Sequence, residues 1–266
     1  MAWDDLAAGG VRYTTIPAEG RRLGRSIGRV TCGFDPVGPE TARELTETIA
    51  QAPDDIVVVR YPAAAVCLGA AVLAAGRDVV PAGALTYWGA APDHVTRPSG
   101  ASARDLDVVP AQALDADGAG RAAAVVDEVV ADAFAGYGSH YAANPLLDPA
   151  LVLAGYQEWA RGSLTGDGVV LVLRERGTPI GLATCSEGRS DLEVLLAGLV
   201  SEYQGGGRYG VLLAACADEA TRRGRDRLVI STQVANVRVQ RAWANAGLRP
   251  FAAVETVHAV RPGLLP

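Results

Sequence analysis

From Asp54 to Tyr61 the chain reads DDIVVVRY, a β-branched run with acidic residues before it. Such a run predicts a buried strand. Pro62 and the Ala/Leu-rich residues behind it predict a helix closing near Gly76, which suits the left-handed position past a helix end. ALTYWGA (84–90) returns as a strand, so residues up to about His94 read as a small αβ unit. HVTRPSGASARDLDVV (94–109) is rich in Pro, Gly and Ser and predicts a linker, with domains 1–100 and 101–266 on either side. Helical spacing then covers Ala119–Phe134 and Pro149–Trp159, with SHYAANPLLD as a loop between them. GVVLVLRERG and TPIGLATCSE predict two strands joined by a Gly-containing turn, and DLEVLLAGLV a third. A helix follows from Val211 to Arg223, stopped by Gly224. DRLVISTQV is a strand, Asn236 caps a short helix to Ala246 ended by Gly247, and AAVETVHAV is the last strand. The pattern is that of an α/β (α+β) protein, and strand–helix–strand runs ending in AAG and NAG hint at duplication.

Composition adds limits. With 266 residues, 49% of them hydrophobic, the chain can bury a sizeable core. Every basic residue is arginine, and the net charge of −6 argues against a nucleic-acid partner. Cys32, Cys67, Cys185 and Cys216 lack CxxC spacing and read as small buried hydrophobes in a reducing compartment. His94, His140 and His258 stand at no ligand spacing, so no metal site is expected. The acidic N-terminus lacks the apolar core of a signal peptide, and no apolar run reaches membrane-spanning length. A cytoplasmic protein is expected.

Chemistry enters at LVSEYQGGGRYGVLL, Leu199 to Leu213. A strand that ends in a glycine-rich turn and opens a helix presents unpaired amides and a partial positive charge to an anion. Gly205, Gly206, Gly207 and Gly210 suit a phosphate or pyrophosphate, and Arg208 can add a charged contact. The other reading is a flexible hairpin with tolerated glycines. No GK[ST] follows, and Tyr209 stands where a dinucleotide fingerprint needs glycine.

The series strand, EYQGGGRYG, helix, strand, NVRVQRAWANAGL, strand resembles the acetyl-CoA-dependent N-acetyltransferases of the GNAT superfamily, whose pyrophosphate motif is Q/R-x-x-G-x-G/A. Gln204, Gly205, Gly206 and Gly207 fit its first four positions, Tyr209 replaces the last small residue, and Gly210 follows one place later. YPAAAVCLGAAVLAAGRDVVPAGALTYW and SHYAANPLLDPALVLAGYQEWARGS look like the nucleotide-amino-sugar (dTDP-fucosamine type) acetyltransferases, which carry a truncated αβ unit ahead of the transferase domain. The resemblance implies a GNAT fold with a mixed, splayed central sheet and acetyl-CoA or another acyl-CoA as donor. It further implies that Leu199 offers its strand backbone to the pantetheine arm, that amides from Gly205 to Gly210 hold the pyrophosphate, and that Asn236 lies beside the pantetheine.

Acetyl transfer to an amine requires a base, stabilisation of the thioester oxygen and protonation of the leaving thiolate. Glu193 stands six residues before Leu199, the spacing of the glutamate base in the histone-acetylating branch. Strand alternation puts Glu193, Leu195, Ala197 and Leu199 on one face, and the alternative is a solvated strand-end carboxylate. His140 and Tyr141 are second candidates, on a loop that could cover the acceptor, and the alternative is a histidine that is simply exposed. The family's acid is a tyrosine seven residues past Asn236; here that residue is Trp243, whose indole N–H donates hydrogen bonds but supplies no proton. Trp243 either polarises the sulfur or fills the core, with water or Tyr209 as substitute acid. Arg21, Arg22 and Arg25 are either a solvated cluster or a contact for acceptor phosphates, and TRRGRDR is structural, at a helix C-terminus.

The expected function is CoA-dependent N-acylation of a small amine, such as an amino sugar or natural-product intermediate, by direct attack. Rival readings are an acyltransferase fed by an acyl carrier protein or aminoacyl-tRNA, and a non-catalytic ligand-binding module. An oligomer is compatible with either.

Overall fold

The computed structural model describes residues 3–34, 37–98, 105–115 and 120–266. The described residues form two compact units, one of residues 1–86, 138–155 and 252–266, the other of 87–137 and 156–251. The boundary expected at residue 100 lies outside the described residues.

The first unit opens with helix α1 (Trp3–Ala7), strand β1 (Val11–Thr15), helix α2 (Pro17–Leu23) and strand β2 (Ile27–Cys32). Helix α3 (Pro39–Gln51), strand β3 (Ile56–Pro62) and helix α4 (Cys67–Leu73) follow. Strand β4 (Asp78–Ala90) runs on into the second unit. The last strand, β10 (Arg249–Val260), returns to the first unit and pairs antiparallel with β3, while β2 and β3 pair in parallel and β1 and β2 antiparallel. Val30, Val57, Val59 and Val257 pack with Leu45 and Ile49 of α3 and Leu68 and Val72 of α4. The helix expected to start at Pro62 starts at Cys67 instead, because Pro62 is still paired to Val254 and its carbonyl closes a turn with the Ala65 amide.

The second unit holds strand β5 (Leu106–Pro110), helix α5 (Arg121–Ala133) and strands β6 (Val169–Glu175), β7 (Thr178–Glu187) and β8 (Asp191–Leu199). Helix α7 (Arg208–Arg222), strand β9 (Arg227–Gln233) and helix α8 (Val237–Asn245) complete it, and α6 (Pro149–Thr165) begins in the first unit and ends here. β5 lies inside the stretch expected to be linker; its Val108 and Val109 pair with Leu173 and Val172, where strand spacing outweighs the Pro and Gly before it. β5, β6, β7 and β8 pair antiparallel in turn, and β8 pairs with β9 in parallel, an open mixed sheet. Arg176 and Gly177, with φ of 49° and 83°, make the two-residue turn between β6 and β7.

One sheet face packs Leu192, Val194 and Leu199 against Leu212, Leu213, Cys216 and Ala217 of α7. On the other side Gly198 meets α5, where a Cβ would stand 2.9 Å from the Ala133 Cβ. Cys32, Cys185 and Cys216 are buried as expected, whereas Cys67 at the start of α4 is exposed. Burial pushes the Cys32 thiol up to about 11. Among the described residues no cluster of His, Cys, Asp or Glu is placed to hold a metal, and no helix is long and apolar enough to cross a membrane.

Candidate active site

β8 and β9 start together and then part. Their parallel ladder joins Asp191 to Arg227, Leu192 to Leu228, Glu193 to Val229 and Val194 to Ile230, and goes no further. A bidentate ion pair closes the joined end, with Asp191 Oδ1 3.0 Å from Arg227 Nε and Oδ2 2.8 Å from Nη2. The parting has a local cause. Thr184 pairs with Leu196 and Cys185 with Val194, so Leu195 is an extra residue, a bulge that bends β8 where the ladder stops. Beyond it Leu195–Leu199 and Ser231–Gln233 leave a wedge between the strands.

At the end of that wedge stands the glycine turn. Gly205, Gly206 and Gly207 all have positive φ, at 100°, 60° and 79°. Only glycine adopts three such conformations in a row cheaply. The Arg208 amide bonds to the Gly205 carbonyl and the Gly210 amide to the Gly207 carbonyl. The amides of Gly205, Gly206, Gly207 and Tyr209 have no acceptor among the described residues. They cluster at the N-terminus of a helix of 15 residues, where the helix dipole favours an anion. α7 starts at Arg208, three residues earlier than its hydrophobic spacing suggests, because Gly207 takes the left-handed cap position.

Solved structures share the fold that carries this turn. A GCN5-related N-acetyltransferase from Kribbella flavida superposes with a TM-score of 0.59 at 15% identity, over 90% of this chain and 82% of that one. A GCN5-related N-acetyltransferase from Sphaerobacter thermophilus gives 0.56 at 16%, over 96% and 78%. The fold is the GNAT fold. A tandem GNAT protein from the clavulanic acid biosynthesis pathway gives a TM-score of 0.56 at 13% identity, over 88% of this chain and 75% of that one. No family model matches the sequence, and no curated protein does.

Within the GNAT fold the singled-out residues divide. Gln204 ties the turn together: its Nε2 donates to the Leu199 carbonyl at 3.3 Å, and its Oε1 accepts from Arg238 Nη1 at 2.8 Å. Arg208 is engaged by Glu175 (Nη2 to Oε1, 2.8 Å) and lies over the Tyr203 ring, with its Nη1 beside Gly206. Asn236 caps α8, accepting the Val239 amide at 3.4 Å, and its Nδ2 donates to Thr232 Oγ1 at 3.1 Å. Thr232 lies in turn 3.3 Å from the Tyr137 hydroxyl. These polar groups line β9 just past the parting, and sequence reasoning missed Tyr137, Thr232 and Arg238. Tyr137 lies in the loop after α5, far along the chain from Thr232, held edge-on between Phe134 and Tyr156.

Trp243 is 1% exposed and packs edge-on against Trp88, with centroids 6.0 Å apart. Its indole Nε1–H donates to the Tyr209 hydroxyl at 3.2 Å. The phenol ring of Tyr209 therefore points into the core beneath α7. Burial first raises the Tyr209 pKa above the usual phenol range, and the Trp243 bond partly offsets the rise.

Two expectations need correction. Glu193 is 5% exposed, so it is no solvated strand end, and the bulge at Leu195 breaks the expected alternation. Leu192 and Val194 share the face of Ala197 and Leu199, and Glu193 takes the opposite face. His140, expected on a loop over the acceptor or simply exposed, is buried in the first unit and hydrogen-bonded to His258, because 139–147 folds onto β10.

Proposed function

We propose that the second unit is a CoA-dependent N-acyltransferase acting on a small amine by direct attack. One observation carries the reading: a wedge between β8 and β9 that ends on four unpaired amides at the N-terminus of α7. The amides of Gly205, Gly206, Gly207 and Tyr209 would hold the pyrophosphate, with Gln204 bracing the turn. Arg208, engaged by Glu175, would brace the turn rather than meet phosphate. The side of Leu195–Leu199 that faces away from β7, where the ladder to β9 has stopped, would run beside the pantetheine, with Asn236 across the wedge; the Leu199 carbonyl is already taken by Gln204. An acyl-CoA supplies the acyl group as a thioester.

This chain's residues would then manage the protons. Glu193 is the carboxylate on β8 assigned to take the ammonium proton, so that the amine nitrogen can bond to the carbonyl carbon as the carbon–sulfur bond breaks. Tyr209 is the acid assigned to the leaving thiolate. Trp243 donates into its oxygen, so the Tyr209 proton remains available, and burial keeps that proton on at neutral pH. Trp243 is a positioning residue in this scheme. The resemblance to amino-sugar acetyltransferases favours an amino sugar as the amine. Calorimetry of the intact chain with acetyl-CoA tests the core of the reading: a saturable 1:1 isotherm is expected, and no heat at any attainable concentration would overturn it.

A further inference from the structure

The sheet of the first unit has two unlike faces. Arg29, Val58 and His258 stand side by side across β2, β3 and β10, and Thr31, Arg60 and Thr256 form the next row. The alternate residues make the apolar core with α3 and α4. The polar face is buried as well: Thr256 is 1%, His258 0% and Arg60 8% exposed. Residues 139–147 lie on it, with Leu147 packed against Val58 and His140 bonded to His258.

A hydrogen-bond chain sets the ring protons. Asn144 Oδ1 accepts the Leu146 amide at 3.0 Å, so its Nδ2 is the group that donates to His258 Nδ1 at 3.1 Å. His258 thus carries its proton on Nε2 and donates it to His140 Nδ1 at 2.9 Å. His140 in turn carries its proton on Nε2, which has no hydrogen-bond partner among the described residues. Burial, then the charge of Arg60, lowers both pKa values, so both rings stay neutral and His140 presents a fixed N–H. In that tautomer His140 donates a hydrogen bond and is no base.

On the same sheet face, or on the segment that covers it, Ser139 Oγ, Thr256 Oγ1 and Arg29 Nε are each buried without a partner among the described residues. Buried polar atoms take partners in native proteins, so these three, like the His140 N–H in the chain of bonds, call for one that the described residues do not supply. All four can donate, and Arg29 Nε–H and His140 Nε2–H can only donate. Glu19, the carboxylate on this face, is already engaged by Arg29 and by the Tyr141 hydroxyl. We propose that this face of the first unit binds a small oxyanion, a carboxylate or a phosphate, through His140, Ser139, Thr256 and Arg29. The site lies within the first unit and is independent of the transferase reading.

The test is nitrogen-15 NMR of the histidine rings in the full chain, titrated with inorganic phosphate and separately with acetate. Both rings are expected as Nε2–H tautomers, with a saturable shift at His140 in one titration, which names the ligand class. Thr256→Val and Ser139→Ala should each weaken binding about fivefold, the worth of one hydrogen bond. Thr256→Val should unfold no earlier than the parent, since it removes a buried hydroxyl without a partner. No saturable shift in either titration, an Nδ1–H tautomer at His140, or shifts that both variants leave unchanged would overturn the proposal.

Discussion

The Trp243 indole donates to the Tyr209 hydroxyl across the core of the second unit, joining the middle of α8 to the first turn of α7. A side chain that cannot supply a proton thereby stands in contact with one that can. The glycine turn that holds Tyr209 at its helix start also aims its ring inward. Tyr209, a bulky residue beside these glycines, therefore does not obstruct the turn in space.

If Tyr209 protonates the thiolate, Tyr209→Phe should lower kcat about 100-fold and leave KM for the acyl donor nearly unchanged. Trp243→Phe, which keeps an aromatic ring but loses the N–H, should lower kcat less. Steady-state kinetics over pH decides; a Tyr209→Phe enzyme with parental kcat would remove tyrosine from the chemistry.

Gly207 caps α7 in the left-handed region, and a Cβ there would meet nothing within 4 Å. Gly207→Ala should therefore cost only backbone strain, about 1 kcal/mol. Gly207→Glu adds a negative charge among the amides and should abolish CoA binding. Calorimetry on the two variants separates strain from charge, and equal Kd values for Gly207→Glu and the parent would take the turn out of the site.

Glu193→Gln removes the carboxylate with little change in size. The rate should fall most at lower pH, where unprotonated amine is scarce. A pH–rate profile that keeps the parental shape would dismiss Glu193 as base.

The buried histidines make stability depend on pH. His258 titrates at about 4 in the fold instead of its ordinary 6.5, through burial and the charge of Arg60. A histidine held neutral adds nothing above 6.5, where both states are neutral. As pH falls from 6.5 to 4 the unfolded chain binds the proton first, so stability drops. The loss for His258 is about 3 kcal/mol. Urea denaturation at stepped pH should show the decline, and His258→Asn should flatten it; an equal slope in that variant would contradict the assignment.

Much of the second unit was legible in the chain. β6, β7 and β8 follow apolar runs, Asn236 and Gly247 bound α8, and three glycines before an amphipathic helix mark a positive-φ turn, because these signals act over a few residues. β5 was not legible, since its pairing with β6 reaches across some sixty residues. The face of Glu193 was not legible either, because the Leu195 bulge arises from the register between strands.

What the amino-acid order determined by itself was local: the strands and helices of the second unit, the three positive-φ glycines, and the tryptophan at position 243. Tertiary structure alone decided which groups meet. It brought Tyr209 to Trp243, Tyr137 to Thr232, and His140 to His258, residues separated by 34, 95 and 118 positions. Hydrophobic spacing specifies which side of an element is buried, but register, bulges and chain return specify its neighbour, and those are settled only when the whole core packs.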